Sequence, residues 1–324
     1  MRLRQLPGLA NEPLALTFLQ AAPFWADHWP RNQELYQSWL ARNQDWWLLS
    51  DETGAWQWLS ALHKLEFDSQ IFGATMGWLN PLIHGAAWPG AVELAQGRDF
   101  VRQMQALAQQ KGLEFLMARV GSRDILAGQC LEAAGFCLMD NSVEWLLDLT
   151  GLPPLTLRPG LEATPWQDRD RAALLDLASR AFSYLPAYAD RFTLDPRLRH
   201  GSGRLYAAWL DNSLKGQQAD EVLVLRRAGQ VLGFISLRLP SGPKGLPGAD
   251  CAWVALNALD EPARGQGLYN YMLLHGLHWL KQQGAPQARI RTKVSQNAVI
   301  NAWSRLGARQ VWADMSFHWW HGGE

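Results

Sequence analysis

Apolar and polar residues along the chain follow two periods, one typical of strands and one of helices. Short apolar runs separated by turn residues predict hairpin strands at 46–50, 55–60, 221–226 and 231–239. Helical spacing of apolar residues follows over 93–111 and 265–283. Further strands are predicted over 113–120 and 289–294, and further helices over 122–134 and 295–306. An aromatic-bearing strand then closes each half, over 136–149 and 310–320. The pattern therefore predicts alternating helices and strands throughout.

The two halves of the chain repeat one another. Leu-Tyr-x-x-Trp-Leu occurs at 35–40 and again at 205–210. Gly135 follows Gly112 at the same spacing of 23 residues as Gly307 follows Gly284. A shared motif and a shared spacing together indicate two copies of one α/β unit. Gly and Pro mark a linker near 150–155, so we expect domains at 1–150 and 155–324.

Only the second copy carries a glycine-rich turn, Arg264-Gly-Gln-Gly267, between a strand and a helix. Such a turn leaves backbone N–H groups unpaired at the positive end of the helix dipole. Glycine also lets the main chain approach a ligand closely, and the ligand favoured there is a phosphate or diphosphate. A turn that simply needs glycine is the alternative. The chain has neither a Walker loop nor a third glycine near Asn270, as a Rossmann fingerprint would require.

Charge and cysteine content narrow the class of protein. Thirty cations balance 30 anions, which argues against nucleic acid or an anionic membrane as a partner. The three cysteines form neither a disulfide framework nor a metal-ligand spacing, and this fits a reducing compartment. No stretch approaches the ~20 apolar residues of a membrane span. We expect a cytoplasmic protein, with a signal peptide over 13–22 as the alternative. Eighteen tryptophans imply large rigid faces to bury.

With these residues in view, 155–320 resembles the GNAT superfamily of N-acyltransferases. Its fingerprint, [Q/R]-x-x-G-x-[G/A], is matched by Arg264 and Gly267, whereas Tyr269 occupies the last small position. The resemblance implies an α+β fold, with tandem domains that are each a twisted mixed sheet flanked by helices. It also implies acetyl-CoA as co-substrate. The residues expected to bind it are Leu256, Asn257, Ala258, Leu259, Arg264, Gly265, Gln266, Gly267, Leu268 and Tyr269. The first copy lacks the loop and is expected to hold no cofactor.

The resemblance also directs attention to the proton donor for the leaving thiolate. The family's usual tyrosine, in the helix after the fifth strand, corresponds to Trp303, whose indole N–H has no useful acidity. Trp303 also falls on an apolar helix face, so core packing is the competing interpretation. Tyr269 and Tyr271 are substitute acids. Candidates for the base are Asp250, His275, His318 or a chain of waters.

For the acceptor side, segments such as Lys64–Gly73 and Gly233–Arg238 resemble a superfamily member that acetylates the 4-amino group of a nucleotide-linked sugar. Arg191 is then expected to bind a phosphate and Asp195 a sugar hydroxyl or amine, with a solvated loop as the alternative. Three cations over 289–293 could aid an anionic ligand or simply be solvated. The expected activity is N-acetylation of a small amine by a monomer or homodimer. The alternative is a catalytically idle protein that keeps CoA as a structural or sensory ligand.

Overall fold

A computed structural model of the chain describes residues 2–6, 45–50, 56–85, 90–182, 189–240 and 251–322. These residues contain twelve strands and eight α-helices. The first Leu-Tyr-x-x-Trp-Leu motif, the 13–22 segment and the base candidate Asp250 lie outside them. Within this part of the chain, no helix is both long and apolar enough to span a membrane.

The chain divides into two compact units. Unit 1 comprises 1–141, 246–248 and 313–324, and unit 2 comprises 142–245 and 249–312. Each unit contains a mixed sheet flanked by helices, as the resemblance implies.

Unit 1 is built from the first half of the chain. Its elements are β1 (Arg2–Leu6), β2 (Asp45–Ser50), β3 (Trp56–Lys64), α1 (Glu66–Phe72), β4 (Met76–His84), α2 (Ala91–Gln110), β5 (Phe115–Gly121), α3 (Ile125–Ala133) and the start of β6 (Cys137–Asp148). Its sheet also takes the last strand of the chain, β12 (Arg309–Trp320), in the order β1-β2-β3-β4-β5-β12.

Unit 2 repeats this arrangement with the second half. Its helices are α4 (Arg171–Ala181), α5 (Arg191–Leu194), α6 (Arg199–Leu214), α7 (Leu268–Gln282) and α8 (Asn297–Arg305). Its strands are β7 (Leu161–Pro165), β8 (Glu221–Arg227), β9 (Gln230–Arg238), β10 (Cys251–Leu259) and β11 (Gln287–Lys293). Together with β6 they form a sheet of order β6-β11-β10-β9-β8-β7.

The last strand of each repeat belongs to the sheet of the other. β6, from the first repeat, pairs antiparallel with β11, from Gln287↔Asp148 to Lys293↔Ser142. β12, from the second repeat, pairs antiparallel with β5, from Asp314↔Gly121 to Trp320↔Phe115. The division into domains 1–150 and 155–324 stays a prediction, and the compact units differ from it by this exchange.

The repeat is visible in the backbone of both units. β4 and β5 pair in parallel only from Met76↔Phe115 to Leu79↔Ala118, although both strands continue beyond that point. β10 and β11 pair in parallel only from Cys251↔Gln287 to Val254↔Ile290, and they too continue. A bulge interrupts the neighbouring antiparallel pair in each unit, between Ser60 and Leu62 and between Val254 and Leu256. In each sheet the two parallel strands therefore separate beyond the same point. We call the gap between them the splay.

The splay of unit 2 is backed by an apolar core. α7 buries its Leu273 and Leu277 against Ile235, Ala288 and Trp303. Full burial of each large apolar side chain stabilises the fold by about 1.5–3 kcal/mol, so this helix is anchored firmly on the sheet. Its N-terminus is thereby fixed beside the end of β10.

Candidate active site

Strand β10 is bent by a bulge that a serine side chain holds in place. Ser236 on β9 is fully buried, and its hydroxyl donates to the Leu256 carbonyl at 3.0 Å. The same hydroxyl oxygen accepts from the Leu256 N–H at 2.8 Å. Because the side chain replaces the missing ladder bonds, no buried backbone group of Leu256 is left unpaired.

Beyond the bulge, the free edge of β10 faces the gap left by β11. Neighbouring residues of a strand direct their N–H groups to opposite sides. The Leu256 N–H is directed to β9, so the Asn257 N–H is directed to the splay. Pairing with β11 has already ended at Val254, and Asn257 itself is half-buried. This amide is therefore available to a ligand lying in the splay.

The glycine turn follows β10 directly and caps α7. Gly265 and Gly267 have φ of +76° and +69°, in the left-handed region that glycine adopts without strain. Gly267 is the N-cap of α7, and no side chain caps the helix there. A helix leaves its first N–H groups without intrahelical acceptors, here those of Leu268 to Asn270. In the described part of the chain, no backbone carbonyl accepts from the amides of Gly265 and Gly267.

The outer face of this turn is open. Gly265, Gln266 and Gly267 are exposed. A Cβ on Gly265 would meet nothing within 4 Å, and one on Gly267 would meet only the Arg158 guanidinium, at 3.6 Å. A row of unpaired amides behind an open face, at the positive end of a helix, fits a phosphate or diphosphate. The turn therefore has the features of a site for such a group.

Arg264 anchors the turn to the strand. Its Nε donates to the Leu259 carbonyl at 3.2 Å, at the end of β10. Asp260, between them, accepts from the Glu261 N–H at 3.0 Å and from Arg180 Nη1 at 3.1 Å. These bonds fix the angle at which the chain leaves β10 and enters α7. Arg264 thus has a positioning role in the turn.

Two of the acid candidates, Tyr269 and Trp303, meet inside unit 2. Trp303 is fully buried in the core, and Tyr269 packs against that core from the first turn of α7. The Tyr269 hydroxyl and the Trp303 indole nitrogen are both buried without a hydrogen-bond partner among the described residues. Burial raises the pKa of the Tyr269 phenol above its ordinary value, and the nearby Trp303 N–H partly offsets this.

The third candidate, Tyr271, faces the opposite side of α7. Its hydroxyl donates to the Leu161 carbonyl on β7 at 3.4 Å, and its ring lies 4.5 Å from that of His275. Burial, and secondarily the charge of His278, lowers the pKa of His275. The base candidate His318 lies on β12 in unit 1, with its ring 4.7 Å from Phe115. The structure therefore brings neither Tyr271 nor His275 to the Tyr269–Trp303 pair.

The acceptor-side candidates lie around the short helix α5. Arg191 begins this helix, with its guanidinium 4.4 Å from the Phe192 ring centroid. Asp195 is only 2% exposed, and its carboxylate accepts from the Arg197 N–H at 2.9 Å. Among the cations of β11, Arg289 lies 3.9 Å from the Trp253 ring centroid and 3.7 Å from Glu144. All of these side chains are engaged within the protein, and Arg191 is also half-exposed.

The corresponding place in unit 1 is built differently. Six residues, 85–90, join β4 to α2, whereas eight, 260–267, join β10 to α7. Gly90 caps α2 in the extended conformation, with φ of −135°. At the end of β4, His84 Nε2 lies 2.8 Å from Asp124 Oδ1, and both side chains are buried. This pair joins the end of β4 to the start of α3 in unit 1.

Three residues near the glycine turn and the bulge were not predicted from the sequence as site residues. Ser236 lies within the strand predicted over 231–239 and was not singled out there. Arg158 and Arg227 both reach Gln266 in the glycine turn, at 3.4 Å. The available signals were an arginine just before a strand and a pair of arginines at a hairpin turn.

Comparison with known proteins agrees with this geometry. The profile of the Acetyltransferase (GNAT) family matches residues 173–308. The dTDP-fucosamine acetyltransferase of Escherichia coli O6:H1 is 26% identical over 197 residues, covering 60% of this chain and 76% of that protein. The mycothiol acetyltransferase of Mycobacterium sp. strain MCS is 27% identical over 253 residues, covering 72% of this chain and 76% of that protein.

A solved structure extends the similarity to both units. A tandem GNAT protein from the clavulanic acid biosynthesis pathway superposes with a TM-score of 0.57 at 14% identity, covering 100% of this chain and 99% of that one. At this identity the likeness concerns the fold alone, and it is a tandem fold. Residues 173–308 are thus similar to the GNAT family of acetyltransferases, the relatives named above are acetyltransferases, and the two units have the fold of a tandem GNAT protein.

Proposed function

We propose that the protein transfers the acetyl group of acetyl-CoA to a small amine, and that unit 2 carries out the reaction. The observation that supports this most strongly is the open, two-glycine turn at the N-terminus of α7, directly after the splayed strand β10. The turn suits the diphosphate, and the splay continues from it along the strand. The residues that would hold the co-substrate are Leu256 to Leu259 and Arg264 to Tyr269.

The Asn257 N–H would polarise the thioester carbonyl. It is directed to the splay and needs no rearrangement to donate, because the Ser236 hydroxyl already holds the bulge. A preorganised donor stabilises the oxyanion that develops during attack by a neutral amine. Holding the two substrates side by side supplies much of the remaining rate enhancement.

Tyr269 would protonate the leaving thiolate. A buried phenol with a raised pKa stays protonated at neutral pH and is a competent donor. Trp303 cannot supply a proton, but its indole N–H faces the phenol and would stabilise the phenolate formed on transfer. Trp303 then acts as a positioning residue, in addition to its place in the core.

The acceptor class follows from the curated relatives and the α5 segment. We propose the amino group of a nucleotide-linked sugar as the acceptor, because dTDP-fucosamine acetyltransferase is among the relatives. Arg191 is half-exposed and carries a charge suited to a nucleotide phosphate. Asp195 is committed to its backbone bond, so it would shape this side without binding the sugar directly.

A second candidate function has a specific observation in its favour. The Tyr269 hydroxyl and Trp303 nitrogen are enclosed, and a tyrosine stands where the fingerprint has a small residue. Both features are compatible with a protein that retains CoA as a structural or sensory ligand without turnover. The exposed glycine turn is common to both functions, so binding alone does not separate them.

Thioester consumption in the steady state tests the proposal. Purified protein is given acetyl-CoA with dTDP-fucosamine, with free amino sugars or with a simple alkylamine, and release of CoA thiol is followed. We expect turnover that requires an amine and is fastest with the nucleotide-linked sugar. CoA binding without turnover for every amine would support the second function, and absence of CoA binding would refute both.

A further inference from the structure

Two arginines from separate strands converge on the glycine turn. Arg158 lies just before β7, and its Nη1 is 3.4 Å from the Gln266 carbonyl oxygen. Arg227 ends β8, and both its Nη1 and Nη2 lie 3.4 Å from Gln266 Oε1. All three residues are exposed. The two guanidinium groups therefore flank the same residue, which sits between the two glycines.

Nothing in the described part of the chain neutralises this charge. No carboxylate lies within ion-pair distance of Arg158 or Arg227 there. Hydrogen bonds of 3.4 Å are long, so they contribute little to holding the side chains in place. Two guanidinium groups and the positive end of α7 repel one another until an anion joins them.

The geometry of the two groups suits a phosphate. Arg158 Nη2 lies 3.6 Å from the position that a Cβ of Gly267 would take, so this guanidinium lies directly against the glycine whose amide is unpaired. Arginine presents a planar fork of N–H donors that matches phosphate oxygens. Donors from Arg158, Arg227 and the turn thus lie around the same residue, Gln266.

We propose that Arg158 and Arg227 form a clamp for a phosphate of the co-substrate nucleotide, in addition to the turn's own amides. This proposal rests on the proposed function, because it assigns the residues to the nucleotide part of CoA. CoA offers two sources of the same chemistry, the diphosphate and the 3′-phosphate of the ribose. Arg158 lies outside residues 173–308, the part matched to the family, whereas Arg227 lies within it.

Calorimetric titration of the full-length protein tests the clamp without requiring activity. The proteins are wild type, Arg158→Gln, Arg227→Gln and the double variant, and the ligands are CoA and 3′-dephospho-CoA. Arg305→Gln is the matched control, since Arg305 is an exposed arginine at the end of α8 in the same unit. We expect each single variant to bind CoA about fivefold more weakly and the double variant more than tenfold. The control should bind like wild type.

The two ligands distinguish the two phosphates. A loss of affinity seen with CoA and absent with 3′-dephospho-CoA assigns the clamp to the 3′-phosphate, and an equal loss with both assigns it to the diphosphate. The double variant should also show a weaker dependence of affinity on salt concentration. Wild-type affinity for CoA in the double variant would overturn the clamp and leave the proposed function intact. Failure of the wild type to bind CoA would instead refute the proposed function.

Discussion

The phenol of Tyr269 and the indole nitrogen of Trp303 face each other in the interior of unit 2, one from the first turn of α7 and the other from α8. Neither polar atom has a hydrogen-bond partner among the described residues. Leaving such groups buried and unpaired costs about 1–3 kcal/mol each. The two side chains that the resemblance marked as departures from the family pattern therefore lie close together in the interior of unit 2.

Replacing Tyr269 with Phe removes the proposed proton donor and keeps the ring in the core. We expect kcat to fall about 100-fold with little change in the KM for acetyl-CoA. Steady-state kinetics on both substrates measures this. Tyr271→Phe gives the comparison, because its hydroxyl bonds the Leu161 carbonyl. A large loss at Tyr271 with none at Tyr269 would reverse the assignment.

Alkaline titration should reveal the same phenol. Burial raises the pKa of Tyr269 above its ordinary value of 10.0, so the protonated form stabilises the folded state. That contribution is fully present below about pH 10 and is lost as pH rises from there through the folded-state pKa. The difference in absorbance at 295 nm between wild type and Tyr269→Phe should therefore show no transition near pH 10. If the difference in absorbance shows one tyrosine titrating near pH 10, the Tyr269 hydroxyl is not buried.

The buried pair in unit 1 makes a prediction about stability. Asp124 accepts from the Ala127 N–H at 3.0 Å as the cap of α3, and it also bonds His84. Asp124→Ala should lower the free energy of unfolding by about 3 kcal/mol, because a helix cap and a buried partner are lost together. Urea denaturation measures the change. Asp99→Ala is the control, since its pair with Arg98 is exposed, and we expect it to change stability by no more than about 0.5 kcal/mol.

Exchange of the last strands predicts which fragment folds. A fragment of residues 155–324 lacks the strand Ser142–Asp148 that pairs with β11, and it carries β12 without its partner β5. A fragment of residues 142–312 contains the whole sheet of unit 2. We expect cooperative urea unfolding of the second fragment and broad, weakly cooperative unfolding of the first. Equal cooperativity of the two fragments would support the boundary at 150–155.

Much of this fold follows from local patterns. The helices that end at Gln110 and Gln282 were predicted to within about a turn, because apolar spacing and a following glycine define them. Strand β4 was not predicted, since Gly77 and the Asn80–Pro81 step interrupt its apolar run. The exchange of β6 and β12 depends on partners far apart in the chain, so local patterning carries no signal for it.

Some features of the candidate site could also be predicted from local sequence, and others could not. The glycine turn was identifiable because its backbone conformation demands a particular residue. The inward orientation of Tyr269 depends on the space beside α8, and the positions of Arg158 and Arg227 depend on how β7 and β8 pair. Side chains whose positions depend on tertiary contacts are difficult to predict from local sequence patterns.

Binding of CoA to a variant of the glycine turn tests whether this turn holds the diphosphate. Gly267→Glu places a negative charge and a side chain where the diphosphate is proposed to lie, and Gly284→Glu is the matched control. Gly284 follows the other end of α7 with φ of +85° and has open space around it, so backbone strain is comparable. Calorimetry should show one CoA per chain for wild type and the Gly284 variant, and no detectable binding for Gly267→Glu. Undiminished affinity of Gly267→Glu for CoA would show that the turn does not hold the diphosphate.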